Sequence, residues 1–212
     1  MKNLTEVVFI LDRSGSMEGL EADTIGGFNS MLAKQKKTEG EVLVSTVLFD
    51  HETEVLHDRV PLSEVKNMTS EEYWTRGSTA LLDALGSSIR HIKNVHKYAR
   101  EEDKPDKTLF VITTDGMENS SHHFDYNEIK KLVEAQRESG WEFIFLGANI
   151  DAIGTASHLG IDADRAVNFH SDSIGTKAIF SGISCFMRSF AAMPDVGNSW
   201  RKAIDEDYTQ RK

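Results

Sequence analysis

The sequence contains very little cysteine. Cys185 is the single cysteine among 212 residues, and it lies in the apolar stretch FSGISCFM. One cysteine cannot form an intrachain disulfide, which excludes the small secreted proteins that depend on a disulfide framework. Because its neighbours are apolar, we interpret Cys185 as a small buried side chain and not as a nucleophile.

Basic residues are outnumbered by acidic ones. The chain has 24 Lys and Arg against 34 Asp and Glu, which gives a formal net charge of -10. A nucleic-acid-binding protein needs a basic surface to displace counterions from phosphates, so this balance argues against nucleic acid as a partner. The same negative charge disfavours adsorption to anionic lipid.

Long apolar segments are missing as well. No stretch approaches the roughly 18 consecutive apolar residues that a membrane-spanning helix requires. The apolar run in MKNLTEVVFIL, at the N-terminus, is too short for a secretory signal. The sequence as given therefore predicts a cytoplasmic protein with no membrane contact, unless a leader has been removed.

What is present fits one large globular domain. Hydrophobic residues make up 39% and charged residues 27% of the chain. The apolar residues cluster in periodic segments, which is not typical of a disordered chain. We predict a single domain over residues 1–212, with its core at about 5–193 and a polar, loosely packed C-terminal tail at 194–212.

Short apolar strands alternate with amphipathic helices along the chain. The predicted strands are 7–11, 42–49, 53–60, 108–113, 141–146 and 166–169, and the predicted helices are 25–32, 81–92, 129–138, 152–158 and 179–190. This alternation predicts an α/β fold with a doubly wound, mostly parallel central sheet of about six strands and helices on both faces. The short spacing between the second and third strands indicates a hairpin, and hence one antiparallel edge strand.

The first predicted strand ends in an unusual way. In VVFILDRSGSM an apolar run leads into Asp12, and Ser14 and Ser16 follow at alternate positions. These three side chains can point towards a common centre only if the loop bends around it. Gly15 has no Cβ that would obstruct this bend. For this motif alone two interpretations are open: side-chain bonds to the backbone of an ordinary turn, or oxygen ligands of a metal ion.

Two further segments are expected at the same edge of the sheet. Asp115 follows another strand in FVITTDGMENSS, and Thr79 lies in RGSTALLDAL, where the irregular stretch 63–78 meets a helix. Ligands of open α/β sheets bind outside the carboxyl ends of the strands. Carboxylate and hydroxyl oxygens suit Mg²⁺, Mn²⁺ or Ca²⁺, whereas zinc would require Cys or His. The candidate metal ligands are Asp12, Ser14, Ser16, Thr79 and Asp115.

Other polar residues near these motifs have ordinary alternatives. Arg13 and Arg76 flank the proposed site and either attract an acidic partner or offset the surrounding carboxylates. Asp83 lies one helical turn after Thr79, where it can support the site or cap a segment. Asn149 and Asp151 follow the fifth predicted strand, where they either line the same edge of the sheet or have the default role of capping a helix.

The motifs DRSGSM, GSTAL and TDGMEN, in this order and on these elements, resemble the metal ion-dependent adhesion site (MIDAS) of von Willebrand factor type A (VWA) domains. The resemblance covers essentially the whole chain, and all three motif parts are intact. It implies the Rossmann-like VWA fold. It also implies that Ser14, Ser16 and Thr79 bind the ion directly, and that Asp12 and Asp115 bind it directly or through water.

The resemblance has consequences for function. An ion held mostly by neutral hydroxyls keeps much of its positive charge and favours an anion in its open coordination position. We therefore expect a module that binds an Asp or Glu of a partner protein through a divalent cation, with Mg²⁺ expected and Mn²⁺ or Ca²⁺ as alternatives. The stand-alone intracellular relatives implied by the resemblance often work with ATPases or multiprotein complexes, so a partner of this kind is expected.

The alternative is a metal-dependent hydrolase or phosphoryl-transfer enzyme that uses the same ion as a Lewis acid. The sequence has no obvious general base or nucleophile beside the site, no G-x-x-x-x-G-K-[ST] phosphate loop and no G-x-G-x-x-G turn. Ser14 stands where an Asp-dependent phosphohydrolase would have its second carboxylate. We expect a binding module and not an enzyme; a scaffold that retains the site without using it is a third possibility.

Overall fold

The computed structural model describes residues 4–38, 40–193 and 196–211. Within these residues the chain forms six strands: β1 (Leu4–Asp12), β2 (Glu41–Phe49), β3 (Thr53–Pro61), β4 (Lys107–Thr114), β5 (Glu142–Ala148) and β6 (Ala166–Phe169). The same residues form the α-helices α1 (Glu21–Gln35), α2 (Leu81–Tyr98), α3 (Tyr126–Glu138), α4 (Ala152–His158), α5 (Ser173–Ala192) and α6 (Lys202–Gln210). The predicted strands and helices are all present, although several extend beyond their predicted ends.

The strands form one twisted layer with the order β3–β2–β1–β4–β5–β6. β1 pairs in parallel with both β2 and β4, and β5 pairs in parallel with β4 and β6. β3 pairs antiparallel with β2 at the edge, as the hairpin spacing indicates. The predicted doubly wound, mostly parallel sheet with one antiparallel edge strand is confirmed.

The central strand β1 is buried along its whole length, as a parallel strand covered on both faces should be. Its side chains alternate between two apolar cores. Phe9 packs with Phe28 of α1 on one face, in the core that α5 also covers. Ile10 points to the other face, in a core shared with Leu85 of α2 and Ile129 of α3. The sheet is therefore a rigid middle layer between two layers of helices.

Helix α5 is the longest helix, with 20 residues, and it packs closely on α1. A Cβ built on Gly27 of α1 would lie 2.3 Å from Cδ2 of Phe180, so the contact depends on glycine at this position. Among the described residues, no helix is both long and apolar enough to cross a membrane.

The direction in which the sheet is built reverses between β1 and β4. The chain adds β2 and β3 on one side of β1, then returns to place β4, β5 and β6 on the other side. Asp12 is the last residue of β1, and Asp115 follows the last residue of β4. Because the connections leave these neighbouring strands in opposite directions, a crevice opens at their carboxyl ends.

The connection between β3 and α2 has little regular structure but is firmly anchored. After a short 3₁₀ helix at Leu62–Glu64, the Asn29 side chain exchanges two hydrogen bonds with the backbone of Met68, at 2.8 and 2.9 Å. Tyr73 is fully buried, and its hydroxyl donates to the carbonyl oxygen of Asp12. The loop thus brings Thr79 to the edge where β1 ends, as predicted.

The prediction of a polar, loosely packed tail at 194–212 is wrong for the part that the structure describes. Trp200 and Ile204 are only 2% and 1% exposed. Trp200 packs edge-on against Phe186 of α5, with ring centroids 5.4 Å apart. Val196, Trp200 and Ile204 recur at every fourth position and are all buried, so the spacing of apolar residues in this segment was a usable signal. Residues 194, 195 and 212 lie outside the described residues.

Replacing Ile204 by Ala tests the contribution of α6 to the core. We expect the free energy of unfolding to fall by about 3 kcal/mol, because the change removes buried methylene groups and leaves a cavity. Urea denaturation at equilibrium measures this difference. Lys202→Ala, in the same helix but with a side chain that is 76% exposed, should change it by less than about 0.5 kcal/mol. Equal effects of the two variants would show that α6 is not part of the cooperative core.

Candidate metal centre

Three hydroxyl groups meet where β1 ends. The Oγ atoms of Ser14 and Ser16 are 3.0 Å apart, and Thr79 Oγ1 donates to Ser14 Oγ at 3.1 Å. Ser14 and Thr79 are buried, whereas Ser16 is exposed. The group of three hydroxyls, here called the hydroxyl cluster, is therefore closed towards the sheet and open to solvent on the side of Ser16.

Glycines allow the loops around the hydroxyl cluster to approach one another. The backbone N–H of Gly15 donates to the carbonyl of Gly77 at 3.1 Å, and a Cβ on Gly15 would lie 3.2 Å from that oxygen. Gly77 has φ +65°, a conformation that favours glycine, and a Cβ there would lie 2.2 Å from Nδ1 of His51. A Cβ at position 15 would thus crowd the neighbouring loop at Gly77, and not the bend of its own loop.

Asp12 holds the site together from beneath. Its Oδ1 accepts the backbone N–H of Ser14 at 2.7 Å, and its Oδ2 accepts the Thr114 hydroxyl at 2.7 Å and the Asp115 N–H at 3.2 Å. The residue is 1% exposed. Burial raises the pKa of this carboxyl above its ordinary value, and the hydrogen bonds from Ser14, Thr114 and Asp115 offset the rise only in part.

Asp115 lies beside Asp12 and is also 1% exposed. Its carboxylate accepts hydrogen bonds from the Asn149 amide, in the segment after β5, and from the Ser171 hydroxyl, after β6. Asn149 thus lies at the predicted edge of the site, whereas Asp151 has the default role of capping α4, accepting the Gly154 N–H at 3.0 Å. All five predicted ligands are therefore brought to one end of the sheet.

The two carboxylates of the site differ from the other buried carboxylates. In the described part of the chain, the carboxylate residues with at most 1% exposure are Glu6, Asp12, Asp50 and Asp115. Glu6 forms ion pairs with an arginine and a histidine, and Asp50 with two arginines. Asp12 and Asp115 accept hydrogen bonds from neutral groups instead. Because a buried charge without a counter-charge is costly, this pair fits a bound cation.

The arginines that flank the site are already engaged. Nε of Arg13 and Nε of Arg76 both donate to Oδ2 of Asp50, at 2.8 and 2.9 Å. Arg13 also pairs with Glu54 at 2.7 Å, and Arg76 with Glu52 at 2.8 Å. Of the two interpretations open from the sequence, neutralisation of nearby carboxylates is the one that the structure supports.

A second group of possible ligands, Asp50, His51 and Glu52, has ligand atoms within 4.8 Å of one another. Asp50 is the buried member, and its carboxylate lies between the two guanidinium groups. A divalent cation bound there would be repelled by both arginines. We therefore assign no metal to this group, and the hydroxyl cluster with Asp12 and Asp115 is the candidate centre.

Several residues that support the site are not among the sequence predictions. Thr114 and Ser171 bind the two aspartates, and Oδ1 of Asn119 accepts the Thr79 N–H at 2.9 Å. Thr114 ends β4 and Ser171 lies two residues after β6, so their positions at strand ends were a usable signal. Asn119 belongs to the TDGMEN motif, but its contact with Thr79 spans 40 positions of the sequence and is visible only in the structure.

Asp83 supports the loop that follows Asp115, in agreement with the supporting role suggested for it. Its carboxylate accepts the backbone N–H groups of His122, His123 and Phe124 at 2.9, 2.9 and 3.0 Å. The loop after β4 is therefore tied to the first turn of α2. This connection joins the segment that carries Asp115 to the helix that begins just after Thr79.

Comparison with known proteins relates this fold to solved structures. No family model matches the sequence, and no curated protein matches it. The von Willebrand factor domain of the type V pili tip protein Mfa5 from Porphyromonas gingivalis is similar with a TM-score of 0.60 and 12% identity, over 93% of this chain and 99% of that chain. A von Willebrand factor type A structure from Catenulispora acidiphila has a TM-score of 0.56 and 13% identity, over 87% and 42%.

A third similar structure is proximal thread matrix protein 1 from the mussel byssus, solved with a zinc-occupied MIDAS motif. Its TM-score is 0.57 at 14% identity, over 85% of this chain and 44% of that one. The chain thus spans less than half the length of the byssus protein. At such low identity the similarity concerns the fold alone, and it confirms that this chain has the VWA fold.

Asp50→Asn tests the ion pairs beside the site. The largest influence on Asp50 is burial, which raises its pKa, but hydrogen bonds from Arg76, the Glu52 N–H and Arg13 outweigh it, so the pKa lies below 3.8. The ion pairs therefore stabilise the fold above pH 3.8 and are lost as the pH falls through the folded pKa. At neutral pH the variant should be less stable by about 3–5 kcal/mol, because the arginines lose their partner.

Urea denaturation of the wild type and the variant from neutral pH to about pH 3 measures this dependence. The difference in unfolding free energy should shrink as Asp50 becomes protonated. Asp58→Asn is the matched control, because Asp58 is 51% exposed in its pair with His91 and should contribute less than about 1 kcal/mol. A difference between the wild type and Asp50→Asn that does not change with pH would contradict the assignment.

Proposed function

We propose that this chain is a metal-dependent protein-binding module, in which a divalent cation at the hydroxyl cluster binds an Asp or Glu side chain of a partner protein. One observation carries the proposal. Asp12 and Asp115 are buried and form no ion pair with a cationic side chain in the described part of the chain, and they lie beside three converging hydroxyls. A cation at this position balances the two carboxylates and uses hydroxyl oxygens that already lie together.

The chemistry of the donors favours a hard ion. The centre offers hydroxyl and carboxylate oxygens, which are ligands of the kind that Mg²⁺ prefers. Mg²⁺ is the proposed ion, and Mn²⁺, with similar ligand preferences, is the alternative. The zinc in the MIDAS motif of the byssus protein supports a divalent ion in this fold.

Each residue would have a distinct role. Ser14, Ser16 and Thr79 would hold the ion directly, because their hydroxyls form the cluster. Asp12 and Asp115 would balance its charge, either directly or through water, from positions held by hydrogen bonds. The bound ion supplies a concentrated positive charge that can accept a carboxylate oxygen from outside. Ser16 is exposed, so we propose that the partner approaches from its side.

The electrostatics around the site support an acidic ligand that binds at the ion. Arg13 and Arg76 are engaged with the protein's own carboxylates, so they are not available to pair with a partner. Specificity for a carboxylate would then come from the ion. An ATPase or multiprotein complex as the partner, and a cytoplasmic location, remain predictions from the sequence.

We also propose that the chain is not an enzyme. Both oxygens of Asp12 and both oxygens of Asp115 accept hydrogen bonds, which suits fixed positions better than attack on a substrate. His122 and His123, the nearest histidines in sequence after Asp115, are exposed, and their backbone N–H groups bind Asp83. The binding role is therefore preferred to metal-dependent hydrolysis or phosphoryl transfer.

Mg²⁺ should stabilise the wild-type chain but not Asp12→Ala. At a free Mg²⁺ concentration of about 100 times its Kd, the unfolding free energy should rise by about 2.7 kcal/mol, because the ion binds only the folded state. The variant loses the hydrogen bonds that Asp12 accepts from Ser14, Thr114 and Asp115, so its urea transition without Mg²⁺ shows whether it is folded before binding is compared. Isothermal titration calorimetry and urea denaturation with and without Mg²⁺ measure both effects.

Asp58→Ala provides the control for removal of a carboxylate outside the site, and it should bind Mg²⁺ like the wild type. Asp58 pairs with His91 on the surface of β3 and α2. If Asp12→Ala bound Mg²⁺ with unchanged affinity, the centre would not include Asp12.

The chain should turn over no phosphate ester or nucleotide. The expectation follows from the absence of a free general base or nucleophile in the proposed centre. A screen of p-nitrophenyl phosphate, ATP and GTP with saturating Mg²⁺ or Mn²⁺, read out as released phosphate or nitrophenol, measures it. Reproducible turnover that disappears in Asp115→Ala would favour the enzyme interpretation.

A further inference from the structure

Three large apolar side chains are exposed on segments that also build the metal centre. Trp74, Met117 and Ile174 have 44%, 75% and 57% of their surfaces exposed. Isolated exposed apolar residues are common, but their concentration around a candidate site indicates a surface for a partner. Each lies one to three residues from a residue that contacts the centre.

Met117 directly follows Gly116, a residue that lies beside the hydroxyl cluster. A Cβ built on the preceding residue, Gly116, would lie 3.1 Å from Oγ of Ser16 and 3.8 Å from Oγ1 of Thr79, so this segment passes along the cluster. Met117 follows at once and is exposed over three quarters of its surface. A flexible, apolar methionine at this position can pack against a ligand that reaches the ion.

Trp74 is held on the side of the two arginines. Its neighbour Tyr73 is fully buried and binds the carbonyl of Asp12. The indole ring lies 4.7 Å from the guanidinium carbon of Arg76 and 5.6 Å from that of Arg13. Cation–π contacts with arginines that are themselves paired with carboxylates hold the ring in place. Its exposed part is a preformed apolar surface.

Ile174 presents a third apolar surface from the start of α5. Ser171, three residues earlier, donates to Asp115, and the Ile174 N–H donates to Oδ1 of Asp172 at 3.0 Å. Arg211 of the C-terminal segment also binds Asp172. The backbone that carries Ile174 is thus fixed at both the site and the helix cap.

Carboxylates occupy the outer part of the same region. Glu52 and Glu54, which pair with Arg76 and Arg13, have side chains that are 64% and 53% exposed. Glu21 accepts the Thr75 hydroxyl at 2.7 Å, next to Trp74. A run of acidic residues in a partner would be repelled by these groups more strongly than a single carboxylate, whose charge is met by the ion.

We infer that the partner segment recognised at this centre carries one isolated Asp or Glu flanked by apolar side chains, and not an acidic run. The inference rests on the proposed function, because it assigns the contacts around the carboxylate that the ion binds. The ion would bind the carboxylate of the partner. The exposed side chains of Trp74, Met117 and Ile174 would contact the residues beside that carboxylate in the partner segment. Apolar contacts around a central anchor also exclude water from the charged contact.

Three synthetic peptides test the inference. They differ only in the two residues on each side of a central Glu, which are all Leu, all Ser or all Glu. Fluorescence anisotropy of labelled peptides in Mg²⁺ should show the Leu peptide binding at least about tenfold more tightly than the Ser peptide, as expected for partial burial of apolar side chains. The all-Glu peptide should bind no better than the Ser peptide, and EDTA should abolish binding of the Leu peptide.

Matched variants locate the contacts. Met117→Ser and Ile174→Ser should each weaken the Leu peptide by roughly tenfold and leave the weak Ser peptide unchanged. Tyr98→Ser is the control, because Tyr98 is 73% exposed but lies at the far end of α2. That end is ~27 Å along the helix from its start near Thr79. Calorimetry with Mg²⁺ alone shows whether a variant has lost the ion.

The outcomes separate the inference from the proposed function. Equal, Mg²⁺-dependent affinity for the Leu and Ser peptides, or tightest binding of the all-Glu peptide, would overturn the inference and leave the proposed function standing. Loss of peptide binding together with loss of Mg²⁺ binding in Met117→Ser would overturn the assigned contacts. Binding of the Leu peptide that persists in EDTA would overturn both the proposed function and the inference. Failure of all three peptides to bind the Mg²⁺-loaded chain would overturn the inference.

Discussion

The Asp12 carboxylate organises the end of the sheet. It accepts the Ser14 N–H from its own loop, and the Thr114 hydroxyl and Asp115 N–H from the neighbouring strand. These bonds join two loops that leave the sheet in opposite directions, at the point where the strand order reverses. The hydrogen bonds satisfy the oxygens of Asp12 but do not neutralise its charge, so the same contacts that stabilise the loops leave a negative site beneath the hydroxyl cluster.

Three buried aspartates at this end of the sheet, Asp12, Asp50 and Asp115, meet the cost of burial in two ways. Asp50 is neutralised by Arg13 and Arg76, and it connects the loop after β1 to the loop before α2. Asp12 and Asp115 are held by neutral donors. The first arrangement gives a rigid support for the loops, and the second leaves charge for a cation in the proposed function. The flanking arginines are therefore engaged with the protein's own carboxylates.

Rigidity at the centre is combined with exposed apolar groups around it. Tyr73 and Ser171 anchor the segments on which Trp74 and Ile174 lie, so these apolar side chains are exposed on backbone that is itself well held. A partner that binds there would not need to order a mobile loop, which reduces the entropic cost of association. In the proposed function, charge recognition and apolar recognition are thus performed by neighbouring residues of the same loops.

The sequence by itself determined the local structure and most of the candidate ligands. Apolar runs define the buried strands, and Asp12 and Asp115 follow two of them, so their placement at strand ends needs only local information. The tertiary structure decided what depends on distant contacts. The strand order places β4 beside β1, and the anchored loop brings Thr79 within 3.1 Å of Ser14. Packing on α5 buries Trp200, which lies in a mostly polar segment. The periodicity of apolar residues shows which face of an element is buried, but not which other element covers that face. The pairing of charges at this site depends on which elements pack together, so only the tertiary structure reveals it.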